Sequence, residues 1–216
     1  MNKEDMLNKI AEEIRNCTKC HLAKTRTNAV PGEGNPNARI VFIGEAPGRE
    51  EDLQGRPFVG AAGKFLTQLI EGILGIPRSE VFITNVVKCR PVPNPNVPAR
   101  LQRGNREPTE EEIRICSPYL DRQLEIIQPD IIVCLGRHSA KYILSKIGFH
   151  FSSLSKIRGN VFEGVIGKKK VKVFVTFHPA AALYKPPWRK IIEDDFRYLK
   201  SLMEGKRTKI TLEDFF

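Results

Sequence analysis

Three polar side chains that could do acid–base or hydrogen-bonding chemistry lie at or just after short apolar runs of this 216-residue chain: Glu45, Asn85 and His178. A carboxylate can position water or stabilise a cation, an amide can read the edge of a planar ring, and an imidazole can donate a hydrogen bond. Each is usually structural when it occurs alone. Because the apolar runs read as strands of one parallel sheet, we expect the three side chains to meet at one edge of that sheet as a catalytic site.

Four of the five cysteines form a second candidate site. A Cys17-x-x-Cys20 pair is followed by Cys89 and Cys116, each next to a predicted loop or helix end. Four thiolates suit either a tetrahedral zinc ion or an iron–sulfur cluster. A zinc ribbon normally has two CxxC pairs, and this chain has one. The spacing therefore favours an iron–sulfur cluster, but spacing alone does not decide between a cluster and zinc. Cys134 lies inside an apolar run and is interpreted as a buried thiol.

The CxxC pair has two further interpretations, both disfavoured. Cys17-x-x-Cys20-His21 matches the attachment signature of c-type haem, but no export signal accompanies it. A thioredoxin-like pair follows a strand and opens a helix, whereas this pair comes at the end of a predicted helix.

The elements that must position these residues alternate between strands and helices. Apolar β-branched runs predict strands at 39–44, 81–87 and 130–136, and a hairpin of 161–166 with 171–177. Helical periodicity predicts helices at 4–16, 61–75, 109–127, 138–147 and 188–204. Thr109 and Glu112 have the spacing of a capping box. This order predicts an α/β fold with a mainly parallel sheet.

The chain is expected to form one domain over 1–204, followed by a tail at 205–216. Between the second strand and the next helix, residues 90–108 are rich in proline and arginine, so we expect no regular structure there. No internal repeat is visible.

Charge favours a polyanionic partner. The chain has 35 Lys and Arg against 25 Asp and Glu, a formal net charge of +10, and such a surface attracts nucleic acid through release of condensed counterions. No stretch approaches the ~18 apolar residues of a membrane span, and the N-terminal segment lacks the pattern of a secretory signal. We therefore expect a cytoplasmic protein that does not contact a membrane.

Seven motifs occur in a specific order along the chain: Cys17-x-x-Cys20, GEAPGREED, GRPFVG, TNVVKCRP, NREPT followed by a cysteine, VCLGR and FHPA. Over about residues 10–200 this ordered set resembles the family 4 uracil-DNA glycosylases, which are iron–sulfur enzymes. The resemblance implies that the chain removes uracil from DNA in base excision repair.

The resemblance also implies a three-layer αβα sandwich and a [4Fe-4S] cluster held by Cys17, Cys20, Cys89 and Cys116. The chain departs from the family pattern at two places. The segment between the last two of these cysteines is longer than usual, and Ala180 stands where many members have serine.

Substrate-binding roles follow from the resemblance. A uracil base must be swung out of the DNA stack and held in a pocket that stacks on it and reads its edge. Phe58 would stack on the base, and Asn85 would pair with uracil O4 and N3–H, a pattern that cytosine does not offer. Glu51 would lie on the C5 side of the base and exclude the methyl group of thymine.

Two residues are assigned to bond cleavage. His178 would donate to uracil O2, where negative charge develops, and Glu45 would position water and stabilise the cationic sugar. Ala46, which we count among the residues lining the substrate site, stands where the family 1 enzymes carry aspartate.

Contacts with the DNA backbone and groove are expected from two segments. Leu183, after the FHPA motif, resembles the residue that wedges into the minor groove during base flipping, and its alternative role is packing against a helix. The long loop supplies four candidate phosphate contacts: Arg90, Arg100, Arg103 and Arg106.

The tail, residues 206–216, resembles the QxxLxxFF box by which repair proteins bind the sliding clamp, with Lys209 in place of glutamine. Leu212, Phe215 and Phe216 would form one apolar cluster on a helical turn. The alternative is a tail that folds back on its own domain. Together with uracil-containing DNA, the sliding clamp is thus an expected partner of a chain that we expect to be monomeric.

Three other functions remain open from sequence. A non-catalytic iron–sulfur DNA-binding module would bind DNA without breaking a glycosidic bond. An electron-transfer protein would need a redox partner and gives no role to Phe58. A glycosylase for another deaminated base would use the same site with a different edge reader.

Overall fold

The computed structural model describes residues 2–205 and is organised around a sheet of six strands in the order β1-β3-β2-β4-β6-β5. The strands are β1 (Glu33–Gly34), β2 (Ile40–Gly44), β3 (Phe82–Asn85), β4 (Ile131–Leu135), β5 (Val161–Ile166) and β6 (Lys169–Thr176). The four central strands are parallel, and β1 and β5 pair antiparallel with their neighbours at the two edges. The predicted parallel sheet and hairpin are therefore confirmed.

Nine helices in the described part of the chain surround the sheet. They are α1 (Lys3–Arg15), α2 (Leu22–Thr25), α3 (Arg49–Gln54), α4 (Ala61–Gln68), α5 (Glu110–Ile127), α6 (Arg137–Lys146), α7 (Leu154–Ile157), α8 (Ala181–Tyr184) and α9 (Pro187–Met203). Helices α1, α5 and α6 pack on one face of the sheet, and α4 and α9 pack on the other. The three-layer αβα sandwich is confirmed.

The side chains of β2 alternate between the two faces of the sheet, and this explains why helices must cover both faces. Val41 and Ile43 belong to one buried cluster, and Ile40 and Phe42 belong to the other. Successive side chains of a strand point to opposite faces, so a strand that is apolar at every position must be covered twice. Phe42 stacks on Phe196 of α9 with ring centroids 5.9 Å apart.

Two predicted elements differ in detail from the sequence expectation. The helix predicted over 61–75 is α-helical to Gln68 and continues as a π-helical segment over Leu69–Leu74, which ends at Gly75 with a φ of 75°. The strand predicted over 81–87 leaves the ladder at Asn85. Val86 and Val87 follow the strand and stay buried in the core, so the apolar run is longer than the strand.

The loop between β3 and α5 is more ordered than its proline content predicts, which corrects the expectation of no regular structure. It contains a 3₁₀ turn over Ala99–Leu101. The side chain of Arg90 is fully buried and serves as the centre of the loop. Its guanidinium donates hydrogen bonds to the carbonyl oxygens of Ala99, Gln102, Arg103 and Gly104 and to Oδ1 of Asn105. The capping box of Thr109 and Glu112 then starts α5, as predicted.

No helix within residues 2–205 is long and apolar enough to cross a membrane.

Candidate active site

A cavity of about 360 Å³ opens at the carboxyl ends of β2, β3 and β6. We call it the polar cavity; its walls include Glu45, Phe58, Asn85 and His178. The three side chains singled out from sequence are thus brought together. They meet because each follows or ends a parallel strand, and parallel strands place their carboxyl ends at one edge of the sheet.

Phe58 is held in an unusual backbone conformation, with a φ of 50°. Arg78 fixes it by donating to the carbonyl oxygens of Pro57 and Phe58, at 2.7 and 3.1 Å. A left-handed conformation costs a non-glycine residue on the order of 1–3 kcal/mol and persists only where its surroundings hold it. The result is a Phe58 ring that stacks on His178, with centroids 5.5 Å apart.

Gly44 leaves the space that this ring needs. A Cβ atom on Gly44 would lie 2.7 Å from Cζ of Phe58, well inside van der Waals contact, and it would also meet Oδ1 of Asn85. The end of β2 must therefore be glycine for Phe58 and Asn85 to border the same cavity.

Asn85 carries an unsatisfied acceptor. Its side chain is buried, and among the described residues nothing donates to Oδ1. Buried amide oxygens without a partner are rare because each costs about 1–3 kcal/mol. An orphaned oxygen on the wall of a cavity is the feature expected of a group that waits for a ligand donor.

His178 is set up to donate from Nε2. Burial lowers the pKa of this imidazole to about 4, so the ring is neutral at pH 7. Its Nδ1 accepts the backbone N–H of Ala180 at 3.2 Å. A neutral imidazole carries one proton, and with Nδ1 acting as acceptor that proton lies on Nε2.

Glu45 has a neighbour that the sequence argument missed. Nε2 of His138 lies 3.6 Å from Oε2 of Glu45 and 3.5 Å from Oε2 of Glu107. Burial, reinforced by the charge of Glu107 and opposed by Arg137, raises the pKa of Glu45 to about 7. His138 opens α6 just after β4, so the rule that led to Glu45 and His178 could also have found it.

Glu51 has a positioning contact in the structure. Its Oε1 accepts the backbone N–H groups of Val59 and Gly60, both at 2.9 Å, and thereby anchors the segment that follows Phe58. Ala46 lines the polar cavity beside Glu45. The C5-side role of Glu51 stays a prediction.

The four predicted ligand cysteines line a second, smaller cavity between α1, α2 and α5. We call it the cysteine cavity; its thiols belong to Cys17, Cys20, Cys89 and Cys116. Cys134 lies apart from them, fully buried in β4. The structure therefore separates Cys134 from the other four cysteines, as its position inside an apolar run predicts.

Two N–H groups already point at sulfur in this cavity. Arg26 donates to Sγ of Cys89, and the backbone N–H of Lys88 donates to Sγ of Cys116, both at 3.2 Å. Within residues 2–205 no three His, Cys, Asp or Glu side chains are grouped tightly enough for a single metal ion. Four cysteine thiols around one cavity are the donor type by which proteins hold an iron–sulfur cluster.

Residues proposed to face DNA fall into two groups. Leu183 and Tyr184 on α8 border the polar cavity, with 49% and 85% of their surfaces exposed, and the wedge role of Leu183 stays a prediction. Arg100 and Arg103 are exposed on the long loop.

One of the predicted phosphate contacts, Arg90, is wrong. Arg90 is buried and uses its donors within the loop. Arg106 forms two hydrogen bonds with the carboxylate of Glu112, at 2.8 and 2.6 Å, and donates from Nε to the carbonyl oxygen of Val92. Its side chain is partly exposed and also lines the polar cavity, so its contact with a phosphate stays a prediction.

The candidate clamp-binding residues Leu212, Phe215 and Phe216 lie outside the described residues.

Comparison with known proteins places this geometry in context. A family model described as the uracil DNA glycosylase superfamily matches residues 31–199. The type-4 uracil-DNA glycosylase of Sulfurisphaera tokodaii is 59% identical, over 92% of this chain and 85% of that protein. The type-4 enzyme of Archaeoglobus fulgidus is 49% identical over 98% of this chain and 99% of its own length. That of Thermotoga maritima is 43% identical over 94% and 97%.

Proposed function

The chain belongs to the uracil DNA glycosylase superfamily and, within it, to the type-4 enzymes, and from that premise we propose how its own residues act. The protein hydrolyses the N-glycosidic bond of deoxyuridine in DNA, releases uracil and leaves an abasic site. The observation that carries the proposal is the orphaned Oδ1 of Asn85 on the wall of a cavity that also holds a stacking ring and an imidazole donor.

Uracil fits this arrangement with its N3 and O4 edge toward Asn85. Oδ1 of Asn85 accepts N3–H and the amide NH₂ of the same side chain donates to O4, while the ring lies against Phe58. Cytosine has an acceptor at N3 and an amino group at position 4, so both contacts would become mismatches. A site built to make such hydrogen bonds discriminates by about 10⁴–10⁵ against a base that cannot form them, because buried groups are left unpaired.

His178 stabilises the departing base. As the glycosidic bond breaks, negative charge develops on uracil O2, and Nε2–H of the neutral imidazole donates to it. An imidazolium would be the stronger donor, but the pKa of about 4 keeps the ring neutral at working pH. One fixed donor at a developing oxyanion contributes ~3 kcal/mol to the rate.

Glu45 acts on the sugar side of the bond. As a carboxylate it stabilises the oxocarbenium-like sugar and orients the water that adds to C1′. Its pKa of about 7 places ionisation within the working range, and His138 at 3.6 Å supports the charged form when protonated. The proton of the water passes to the Glu45 carboxylate.

The cysteine cavity holds a [4Fe-4S] cluster in this proposal, with Cys17, Cys20, Cys89 and Cys116 as its ligands. When bound, the cluster supplies structural cross-linking of distant chain segments. The protein's own contribution is to join α1, the end of β3 and α5 around it, so that the loop leading from Asn85 to the long loop is fixed.

DNA is held by the exposed face around the polar cavity. Leu183 enters the space vacated by the flipped nucleotide, and Arg100 and Arg103 contact phosphates of the flanking strand. The tail binds the sliding clamp through Leu212, Phe215 and Phe216. A peptide of residues 206–216 should bind the clamp from the same cell in calorimetry, and replacing both phenylalanines with alanine should remove the heat.

The test of the activity is incubation of the purified protein with an oligonucleotide that carries one uracil, followed by alkaline cleavage of abasic sites. Matched oligonucleotides with thymine or cytosine at that position should remain intact. Asn85→Ala should lose uracil excision. Absence of cleavage with wild-type, iron-loaded protein would refute the proposed function.

A further inference from the structure

A groove lies at the edge of the sheet opposite the polar cavity. Two adjoining cavities of about 550 and 470 Å³ open there, at the amino ends of the parallel strands. We call them together the amino-edge groove; the wall that both share consists of Arg39, Asp130, Ile131 and Met203. The proposed reaction does not use this surface, because its residues lie at the carboxyl ends of the strands.

Helix α9 ends before the face of the sheet that it covers. Phe174 of β6 is covered by α9, where its ring centroid lies 6.0 Å from that of Tyr198. The side chains two and four positions earlier in β6 lie on the same face, and they belong to Lys172 and Lys170, which are exposed. Opposite Lys170 in β5 is Val165, with 53% of its surface exposed. All three line the groove, which therefore has an uncovered side on the β5–β6 hairpin.

The charges around this side leave a cation without a partner. Arg39 is paired with Asp130, and Glu163 lies opposite Lys172 in the β5–β6 ladder. Among residues 2–205 no carboxylate pairs with Lys170. Because an exposed apolar side chain lies beside this lysine, the groove suits an occupant that carries apolar side chains next to a carboxylate.

The tail of the same chain has this chemistry and begins at the groove. Leu202 and Met203, in the last turn of α9, form part of the groove wall. The tail carries three apolar residues around two acidic ones: Leu212, Glu213, Asp214, Phe215 and Phe216. An extended chain advances ~3.3 Å per residue, so the residues between α9 and these side chains can span roughly 25 Å. That length is enough for the tail to return to a groove that starts at the end of α9.

We propose that the tail docks in the amino-edge groove of its own chain, with its apolar side chains beside Val165 and its carboxylates beside Lys170. Under the proposed function, on which the next step rests, the sliding clamp binds the same apolar residues of the tail. The tail cannot occupy both places at once. Docking therefore weakens the apparent affinity for the clamp in proportion to the fraction of molecules whose tail is docked.

Photo-crosslinking in the full, iron-loaded chain tests the docking without the clamp. With p-benzoylphenylalanine in place of Phe215, irradiation should link the tail to the β5–β6 hairpin or to residues 39–40 and 130–131. Mass spectrometry of a mixture of isotope-labelled and unlabelled protein distinguishes links within one chain from links between two copies. Links to other surfaces only, or links only between copies, would overturn the proposal.

Two variants of the groove test the same docking from the other side. Val165→Glu and Lys170→Glu each place a carboxylate where the tail should lie, so both should lose the crosslink. Lys168→Glu makes the same charge change as Lys170→Glu at the turn of the hairpin, outside the groove, and should keep it. All three should excise uracil at the wild-type rate. A crosslink of wild-type yield in both groove variants would contradict docking at this site.

The competition with the clamp is measured by calorimetry on the same proteins. The two groove variants should bind the clamp about threefold to tenfold more tightly than wild type and Lys168→Glu, as expected if the tail is docked in about 70–90% of wild-type molecules. Saturating clamp should also remove the crosslink. Equal affinities for all four proteins would overturn the competition. If the peptide of residues 206–216 does not bind the clamp, the proposed clamp partnership fails, and the crosslink still decides whether the tail docks.

Discussion

Nζ of Lys88 lies 2.8 Å from the carbonyl oxygen of Asn85 and is fully buried. The same nitrogen donates to Oγ1 of Thr84 and Oε1 of Gln123, at 2.5 and 2.8 Å. The backbone of Lys88 in turn contacts Sγ of Cys116. Lys88 thus joins the cysteine cavity to Asn85, the proposed reader of uracil.

Lys88→Met should therefore disturb both stability and uracil recognition. Methionine has a similar length but removes the donor that three buried oxygens share, at about 1–3 kcal/mol for each that is left without a partner. We expect a lower melting temperature and a lower kcat/KM for uracil excision. Lys9→Met, on the exposed face of α1, is the control. Wild-type kcat/KM per folded molecule in Lys88→Met would reduce Lys88 to a purely structural role.

His178→Ala should lower the rate of the chemical step by about 10²–10³, because the variant has no fixed donor to the developing oxyanion. The effect should fall on kcat in single-turnover assays, and binding of DNA that already contains an abasic site should be little changed. An unchanged single-turnover rate would remove His178 from the reaction.

The pH dependence of kcat/KM should be governed by Glu45. With a pKa of about 7, its carboxylate is protonated at lower pH, so the rate should fall about tenfold per unit as pH drops below that value. His178 stays neutral over this range because its pKa is about 4. Glu45→Gln should be slower and nearly flat between about pH 5 and 8, since it lacks the titrating group. An acid limb that survives in Glu45→Gln would assign the titration to another group, with His138 the first to test.

The purified protein should contain about four irons per chain and absorb in the visible. Replacing Cys17, Cys20, Cys89 or Cys116 with serine should remove the colour and most of the iron, since each would leave one iron without its ligand. Cys134→Ser is the matched control, because its thiol lies in β4 away from the cysteine cavity. Stoichiometric zinc in protein purified without oxygen would contradict the cluster.

Neutralising Arg100 and Arg103 together should flatten the plot of log affinity against log salt by ~0.9 for each duplex phosphate that the variant no longer neutralises. The control is Arg39→Gln, which removes an exposed charge at the opposite end of β2, where Arg39 pairs with Asp130. Equal slopes for the double variant and wild type would show that the loop does not contact DNA phosphates.

Local sequence determined much of this protein. Period-two and helical patterns depend on neighbours along the chain, so the strands around Glu45 and His178, the capping box of Thr109 and the α/β order could be predicted. Because parallel strands place their carboxyl ends at one edge of the sheet, Asn85 could be predicted to lie beside Glu45 and His178. The apolar run around Cys134 similarly separated it from the other four cysteines.

Only the tertiary structure decided which polar side chains are buried and hydrogen-bonded within the protein. Arg90 and Arg100 read alike in sequence, yet the first is buried among loop carbonyls and the second is exposed. The interaction of His138 with Glu45 likewise joins residues far apart in the chain. Such interactions depend on how separate elements pack and on the cost of burying an unpaired polar group, and neither is encoded in local periodicity.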